Sequence, residues 1–401
     1  MNDALRTNTR ALILDTIRRA KRIARIDLAQ STQISQATVT TVTADLIKQG
    51  LIEEVARDDK PGETRRGRPR VDLQLRADAH LVAGLKVADT TFSVVLANFE
   101  GTVLEEYEHP RPAPHVPLKV FIDQVKHALD QTVARADLSL SDLSAVGVGI
   151  AGWVAAKQGL VHWSPYFDEQ NLRLGDLLQE ALALPVFLDN DANLVALAEK
   201  YLGDADQCAN FIVVTIESGV GMGIVIDNEI YRGARGCGAE FGHTKVQLDG
   251  ALCRCGQRGC LEAYVADYAL LREAALHPAL FGDASPDACI QNLLAAARAG
   301  EPTAQSIVTR SSRIFAMGLA NLVNLFDPEL IILSGERMTF DHLYANDVME
   351  MIKSSIVQVG ANPPEIVIHK WGGFMWARGA AAFALVGVAD IALRNGADHA
   401  A

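Results

Sequence analysis

Apolar residues recur at helical spacing through the first fifty positions and then switch to alternation, and this change of period organises the N-terminal end of the chain. Thr9 to Ala20 reads as a helix, with Leu12, Ile13 and Ile17 on one face and Ile23 continuing it. Asp27 stands where it can cap a second helix, Leu28 to Gln33, with Gln30 at the capping-box position. Ser35 caps a third, Gln36 to Gln49, which Gly50 stops. Along it Val39, Val42, Leu46 and Ile47 face inward. Ala37, Thr40, Thr41, Ala44 and Lys48 face outward, with Gln36 and Thr38 near the tip. Leu51 to Val55 then alternates like a strand and Val71 to Leu75 like its partner, with Arg57, Lys60, Arg65, Arg66, Arg68 and Arg70 in the loop between them.

Three helices followed by a hairpin is the order of a winged helix-turn-helix. Small and hydroxyl-bearing groups on the third helix enter a major groove without clashing, which points to Gln36, Thr38, Thr40 and Thr41 as DNA contacts. Arg66-Gly67-Arg68-Pro69-Arg70 resembles the AT-hook core, whose arginines lie in a narrow minor groove. A plain three-helix bundle with a solvated basic linker has the same helices and charge. Placement of the arginine run inside a wing is what favours double-stranded DNA.

Composition and charge sharpen this division. The 401 residues, 49% hydrophobic and 21% charged, are ordinary globular material and too many for one core, so two or three domains are expected. The net charge of −12 hides an asymmetry: residues 1–80 carry 15 basic and 11 acidic residues, the remainder 22 and 38. A basic head on an acidic body meets a polyanion at one end only. No run approaches the ~20 uninterrupted apolar residues that span a bilayer, and Met1 to Arg6 lacks the apolar core of a secretory signal. A cytoplasmic protein without a membrane partner is therefore expected.

The densest chemistry lies between Glu240-Phe241-Gly242-His243 and Cys253-x-Cys255-x4-Cys260-Leu261-Glu262. His243, Cys253, Cys255 and Cys260 form a soft tetrahedral set suited to one structural Zn2+, with no position left for activated water. Gly256 and Gly259 let the loop turn tightly. An unmetallated loop or a redox pair are the alternatives, and in a reducing compartment the spacing favours metal. Cys208, Cys237 and Cys289 stand apart and read as structural.

Gly242-His243-Thr244 followed by Cys-x-Cys-Gly-x-x-Gly-Cys-Leu-Glu-x-Tyr, ending at Tyr264, resembles the signature of the ROK family of repressors, open reading frames and sugar kinases. Gly147-Val148-Gly149-Ile150-Ala151-Gly152 resembles its first glycine loop near the sugar, and Leu188 to Asn193 its Asn-Asp-x-Asn motif. Asn321 to Glu329 resembles its helix-to-strand passage. The resemblance runs from about residue 80 onward, and a winged head marks the repressor branch, similar to the N-acetylglucosamine, glucose and xylose regulators. It implies an α/β, actin-like (ASKHA) fold of two lobes. The expected division is a head at 1–76, a first lobe at 77–196 completed by a helix at 376–395, and a second lobe at 197–375.

By this resemblance Asn190, Asp191, Glu240, His243 and Glu262 hold sugar hydroxyls, with Trp153, Tyr166 and Phe167 bearing on selectivity and Gln170-Asn171 replacing a usual Trp. His243 can bind zinc through one ring nitrogen and a hydroxyl through the other. The phosphate-binding motifs are eroded. Lys86-Val87-Ala88-Asp89-Thr90-Thr91 stands for Asp-x-Gly-Gly-Thr-Lys, Glu217-Ser218-Gly219-Val220-Gly221 for Gly-Thr-Gly-x-Gly, and Ser334-Gly335-Glu336 for the adenosine-side Gly-Gly. Carboxylates near a triphosphate repel it, so Asp191, at the position of the kinase general base, is left as a hydroxyl acceptor. The expectation is a sensor without enzymatic activity, binding operator DNA as a homodimer or dimer of dimers and answering a sugar or sugar phosphate. A sugar kinase retaining a DNA-binding head, and a regulator controlled by a protein partner, are the alternatives.

Overall fold

Local capping and one small sheet shape the head. The structure, a computed structural model, describes residues 2–56, 71–203, 205–216, 219–277, 285–335, 346–357, 363–369 and 372–398. α1 spans Asn2–Ala20 and α3 Gln36–Lys48. The Ser35 hydroxyl accepts the Thr38 amide at 3.2 Å, and Gly50 leaves the helix at φ +73°, as expected. α2 differs. It spans Arg25–Thr32, starts directly after Ala24, and has no side-chain cap. The cause is a two-residue strand, β1 (Ile23–Ala24), which pairs with β3 (Val71–Leu75) and delivers the chain to the helix already ordered. Asp27 falls instead in the first turn, where it favours the helix dipole. β2 (Ile52–Ala56) pairs antiparallel with β3, giving the order β1-β3-β2. Thr43 is buried under α3, where its hydroxyl accepts from Arg25 Nε at 2.9 Å while Arg25 also pairs with Glu54.

Two five-stranded sheets follow, built on one plan. In the first, β4 (Leu81–Val87), β5 (Thr91–Asn98) and β6 (Val103–Pro110) run antiparallel, and β7 (Ala145–Ile150) and β10 (Val186–Asn190) extend it in parallel, order β10-β7-β4-β5-β6. A small hairpin, β8 (Trp153–Ala155) and β9 (Leu160–Trp163), lies between the two parallel strands in sequence. In the second sheet, β11 (Phe211–Ile216), β12 (Val220–Ile226) and β13 (Glu229–Ile230) are antiparallel, with β14 (Leu330–Ser334) and β15 (Glu365–Ile368) in parallel. Continuous apolar runs such as Phe211–Ile216 are buried throughout, as strands covered on both faces must be.

The described chain forms two compact units. One contains residues up to Asp206 and those from Trp376 onward, the other Gln207–Met375. Inside the first, the helix Met375–Asp398 packs on the strands through glycines. A Cβ at Gly84 would lie 2.0 Å from the Ala377 carbonyl oxygen, and one at Gly147 would lie 1.9 Å from that of Ala380. Gly147 therefore serves helix packing rather than a sugar-side loop, and the turn itself falls at Gly152, φ +128°. The same helix joins the head: Ile13, Ile17, Leu28, Val39 and Leu46 share one buried cluster with Phe99, Ala384, Leu385 and Leu393. Arg10 Nη1 donates to the Leu393 carbonyl at 3.3 Å. Among the described residues Met375–Arg394 is the one helix long and apolar enough to cross a membrane, and 67% of that stretch is buried in this core.

Candidate functional site

In the second unit, a short 3-10 turn, Phe241–His243, and a tight knuckle bring the histidine and three cysteines together. The knuckle is closed by Cys253 N–H donating to the Gln257 carbonyl and Gly256 N–H to that of Cys253, with Gly256 and Gly259 at φ +83° and +76°. All four ligand atoms lie within 4.8 Å of one another. Cys255 Sγ and Cys260 Sγ are 3.7 Å apart, and His243 Nδ1 is 3.7 Å from Cys253 Sγ. Metal–sulfur bonds of about 2.3 Å at the tetrahedral angle require an edge of about 3.7 Å. The donor set therefore fits a tetrahedral metal ion.

Two further residues, Lys245 and Tyr268, contact the cluster. Lys245 Nζ donates to Cys260 Sγ at 2.9 Å and places a cation beside the cysteine sulfurs. Tyr268 donates to Cys253 Sγ at 3.5 Å and to Glu262 Oε1 at 3.3 Å. Buried Glu262 lies 3.6 Å from Cys253 Sγ through Oε1, and its Oε2 accepts the Val220 amide at 3.2 Å. One carboxylate thus contacts the cysteine cluster and the Gly219–Gly221 loop together. Glu240 is exposed at the start of the histidine turn, and His243 is half-buried.

In the first unit, Asn190 caps α6 (Asp191–Leu202), accepting the Ala192 amide at 2.9 Å while Nδ2 donates to the Gly152 carbonyl. Much of its hydrogen-bonding capacity serves the local fold. Asp191 follows, half-buried. Tyr166 and Phe167 are buried, Phe167 edge-on to Phe121 at 5.0 Å and Tyr166 within electrostatic reach of Asp191. Trp153 is exposed and lies 5.5 Å from Trp163. Asn171, at φ +56°, bonds His162.

The β4–β5 turn, where the family motif would meet phosphate, is braced from within. Buried Arg111 donates to the Ala88 and Pro114 carbonyls and stacks 4.4 Å from the Tyr166 ring. Lys86 is buried with its ammonium 3.6 Å from the Trp376 ring. Glu217 and Glu336 lie outside the described residues.

Burial raises the Asp191 carboxyl above its ordinary value, and the Lys86 cation is the largest opposing influence. A raised acid costs stability where it is ionised, above its folded value, and that cost fades as pH falls through this value toward the ordinary carboxylate range. Lys86→Met is expected to lose ~3 kcal/mol at neutral pH. Denaturant melts should show the loss shrinking in acid; an equal loss at both pH values would assign Lys86 to the Trp376 contact alone.

On the head, Gln36, Thr38, Thr40 and Thr41 are all exposed on α3, while Val39 and Leu46 are buried. The Thr40 and Thr41 hydroxyls bond back to the Gln36 and Ala37 carbonyls. Arg66, Arg68 and Arg70 lie outside the described residues.

The comparisons with known proteins agree with this arrangement. The ROK family profile matches residues 82–386 and the MarR family profile residues 7–60. The chain is 28% identical over 362 residues to the xylose repressor of Caldicellulosiruptor bescii, covering 87% of this chain and 88% of that one. Its fold matches a ROK family transcriptional regulator, a homolog of the E. coli MLC protein, with a TM-score of 0.79 at 24% identity over 98% and 99% of the two chains. It also matches a ROK family glucokinase from Streptomyces griseus, in complex with glucose and AMPPNP, with a TM-score of 0.61 at 31% identity over 76% and 99%. A family profile that spans most of the chain, including the histidine–cysteine cluster, places this protein in the ROK family.

Proposed function

We propose that this protein is a sugar-responsive transcriptional repressor of carbohydrate uptake or breakdown genes. The observation that carries the reading is the exposed Gln36–Thr41 face of α3, on a head whose core continues into a ROK lobe. Its relative, the xylose repressor, supports the same reading. Two heads of a dimer would meet the half-sites of operator DNA, with the arginines Arg66, Arg68 and Arg70 neutralising phosphates. Asn190, Asp191, Glu240, His243 and Glu262 are the proposed partners of sugar hydroxyls. His243, Cys253, Cys255 and Cys260 would hold Zn2+, which when bound supplies a closed structural cross-link and no catalytic chemistry. The chain's own residues do the rest: Glu262 accepts hydroxyls beside Cys253, and Lys245 offsets thiolate charge.

A regulator without kinase activity is the supported reading. Lys86 replaces the acidic residue, and Asp89 and Thr91 replace a glycine and the lysine, at a turn filled by Arg111. The deciding experiment is operator binding by fluorescence anisotropy with a panel of pentoses, hexoses, amino sugars and their phosphates, alongside ADP release. Release of operator by one sugar without ADP production is expected; steady ADP production would overturn the reading.

Thr41→Asp places an anion on the exposed face of α3 and is expected to weaken operator binding more than about tenfold. The melting temperature should stay within a degree or two of the parent, because the position is exposed. An unchanged operator affinity would remove this face from the DNA interface.

A further inference from the structure

A cavity of about 350 Å3 lies inside the first unit, and neither Asn190 nor Asp191 lines it. Its walls come from the end of α1, the β5–β6 turn, the end of α6 and the helix Met375–Asp398. Five basic residues line it, Arg18, Arg19, Lys21, Lys200 and Arg378, against two acidic ones, Glu100 and Asp206.

The cations are not equivalent. Arg19 is bonded to Asp15, and Arg378 holds Glu106 through Nη2 at 2.9 and 3.0 Å. Arg18 is different: its Nε and Nη2 are buried without a hydrogen-bond partner. The guanidinium lies 5.4 Å from the Phe99 ring and 6.0 Å from that of Tyr201, and Arg18 lines the cavity. Burial pulls its pKa down, with Tyr201, Asp15 and Asp390 acting in the opposite sense. Two N–H groups of a guanidinium form a fork that matches two oxygens of a phosphate. Part of the wall is apolar, with Ala97, Ala382 and Leu385, and the volume is within the range of small-molecule sites.

We propose that this cavity is a binding site for a small phosphate-bearing anion, held by Arg18 and Lys21 of the DNA-binding head against the first sheet. A ligand there ties α1 to the β5–β6 turn and so bears on how the head is held. The inference is independent of the sugar site proposed above.

The test uses the full-length protein and two probes, glucose 6-phosphate and inorganic phosphate, at matched ionic strength, with glucose as the uncharged control. Calorimetry should detect the anions, and Arg18→Gln should weaken them about tenfold or more, the loss of a charge-assisted bond. Ala382→Leu fills the cavity from the opposite wall without touching a charge and should abolish binding, which keeps the test valid if the Arg18 variant folds poorly. Asn190→Ala should leave anion binding intact. Tighter binding of the sugar phosphate assigns the site to an organic phosphate, and equal affinity to free phosphate; both support the proposal. No binding of either anion, undiminished binding in both cavity variants, or loss in Asn190→Ala alone would overturn it.

Discussion

Replacing Cys260 with serine is expected to leave the protein without bound metal and to lower the melting temperature of the Gln207–Met375 unit by about 10 °C. Loss of a metal site belongs to the rare class of single changes that cost more than about 4 kcal/mol. At roughly 3 °C per kcal/mol for a unit of this size, the shift follows. The sulfur of Cys260 is 3.7 Å from that of Cys255 and accepts from Lys245, so its removal breaks the cluster. Metal analysis and a thermal melt give the first two readouts. Sugar response gives the third, since Glu262 contacts Cys253 directly. Cys237→Ser, outside the cluster, should change none of them. A metal-free Cys260→Ser protein that still releases operator on adding sugar would show that the cluster does not shape the ligand site.

Gly147→Val is expected to be at least as damaging, for a different reason. The first carbon of any side chain would stand 1.9 Å from the Ala380 carbonyl oxygen and 2.7 Å from its carbon, both backbone atoms. Neither can yield without moving the helix Met375–Asp398, and overpacking on this scale exceeds about 3 kcal/mol. The head's core rests on the same helix, so operator binding should fall together with the melt of the first unit. Gly256→Ala is the contrast. Nothing lies within 4 Å of its added carbon, and only the left-handed φ of +83° is strained, a cost of about 1 kcal/mol. A Gly147→Val protein that melts and binds DNA like the parent would refute the packing role.

What was legible in the sequence follows the range over which each feature is decided. The Ser35 cap, the α3 periodicity and the cluster from His243 to Cys260 depend on residues close in sequence, and all were read from spacing. The start of α2 was misplaced because β1 exists only through its pairing with Leu73 and Asp72, nearly fifty positions away. Gly147 resembled a ligand-loop glycine because its partner, Ala380, is remote in sequence. The burial of Tyr166 and Phe167 was not readable either, since the residues that cover them, such as Phe121, are distant in sequence. Lys245 and Tyr268 carry no motif. Their roles arise when the knuckle folds back on α7 (Glu262–Val265) and α8 (Asp267–Ala274). The lysine at position 86 was readable; the Arg111 side chain that donates to the Ala88 carbonyl was not, since it comes from just beyond β6.

The shared core of the head and the helix Met375–Asp398 also bears on synthesis. The ribosome makes the DNA-binding helices first, yet Leu385 and Leu393 complete the cluster that buries Ile13 and Ile17. Until translation has passed residue 398, the nascent head presents part of that apolar face to water, where chaperones or another chain can take it. A reading frame cut short before this helix would therefore make a head that is sticky rather than a free DNA-binding fragment. Operator binding would in this way be reserved for chains that also carry the sensor.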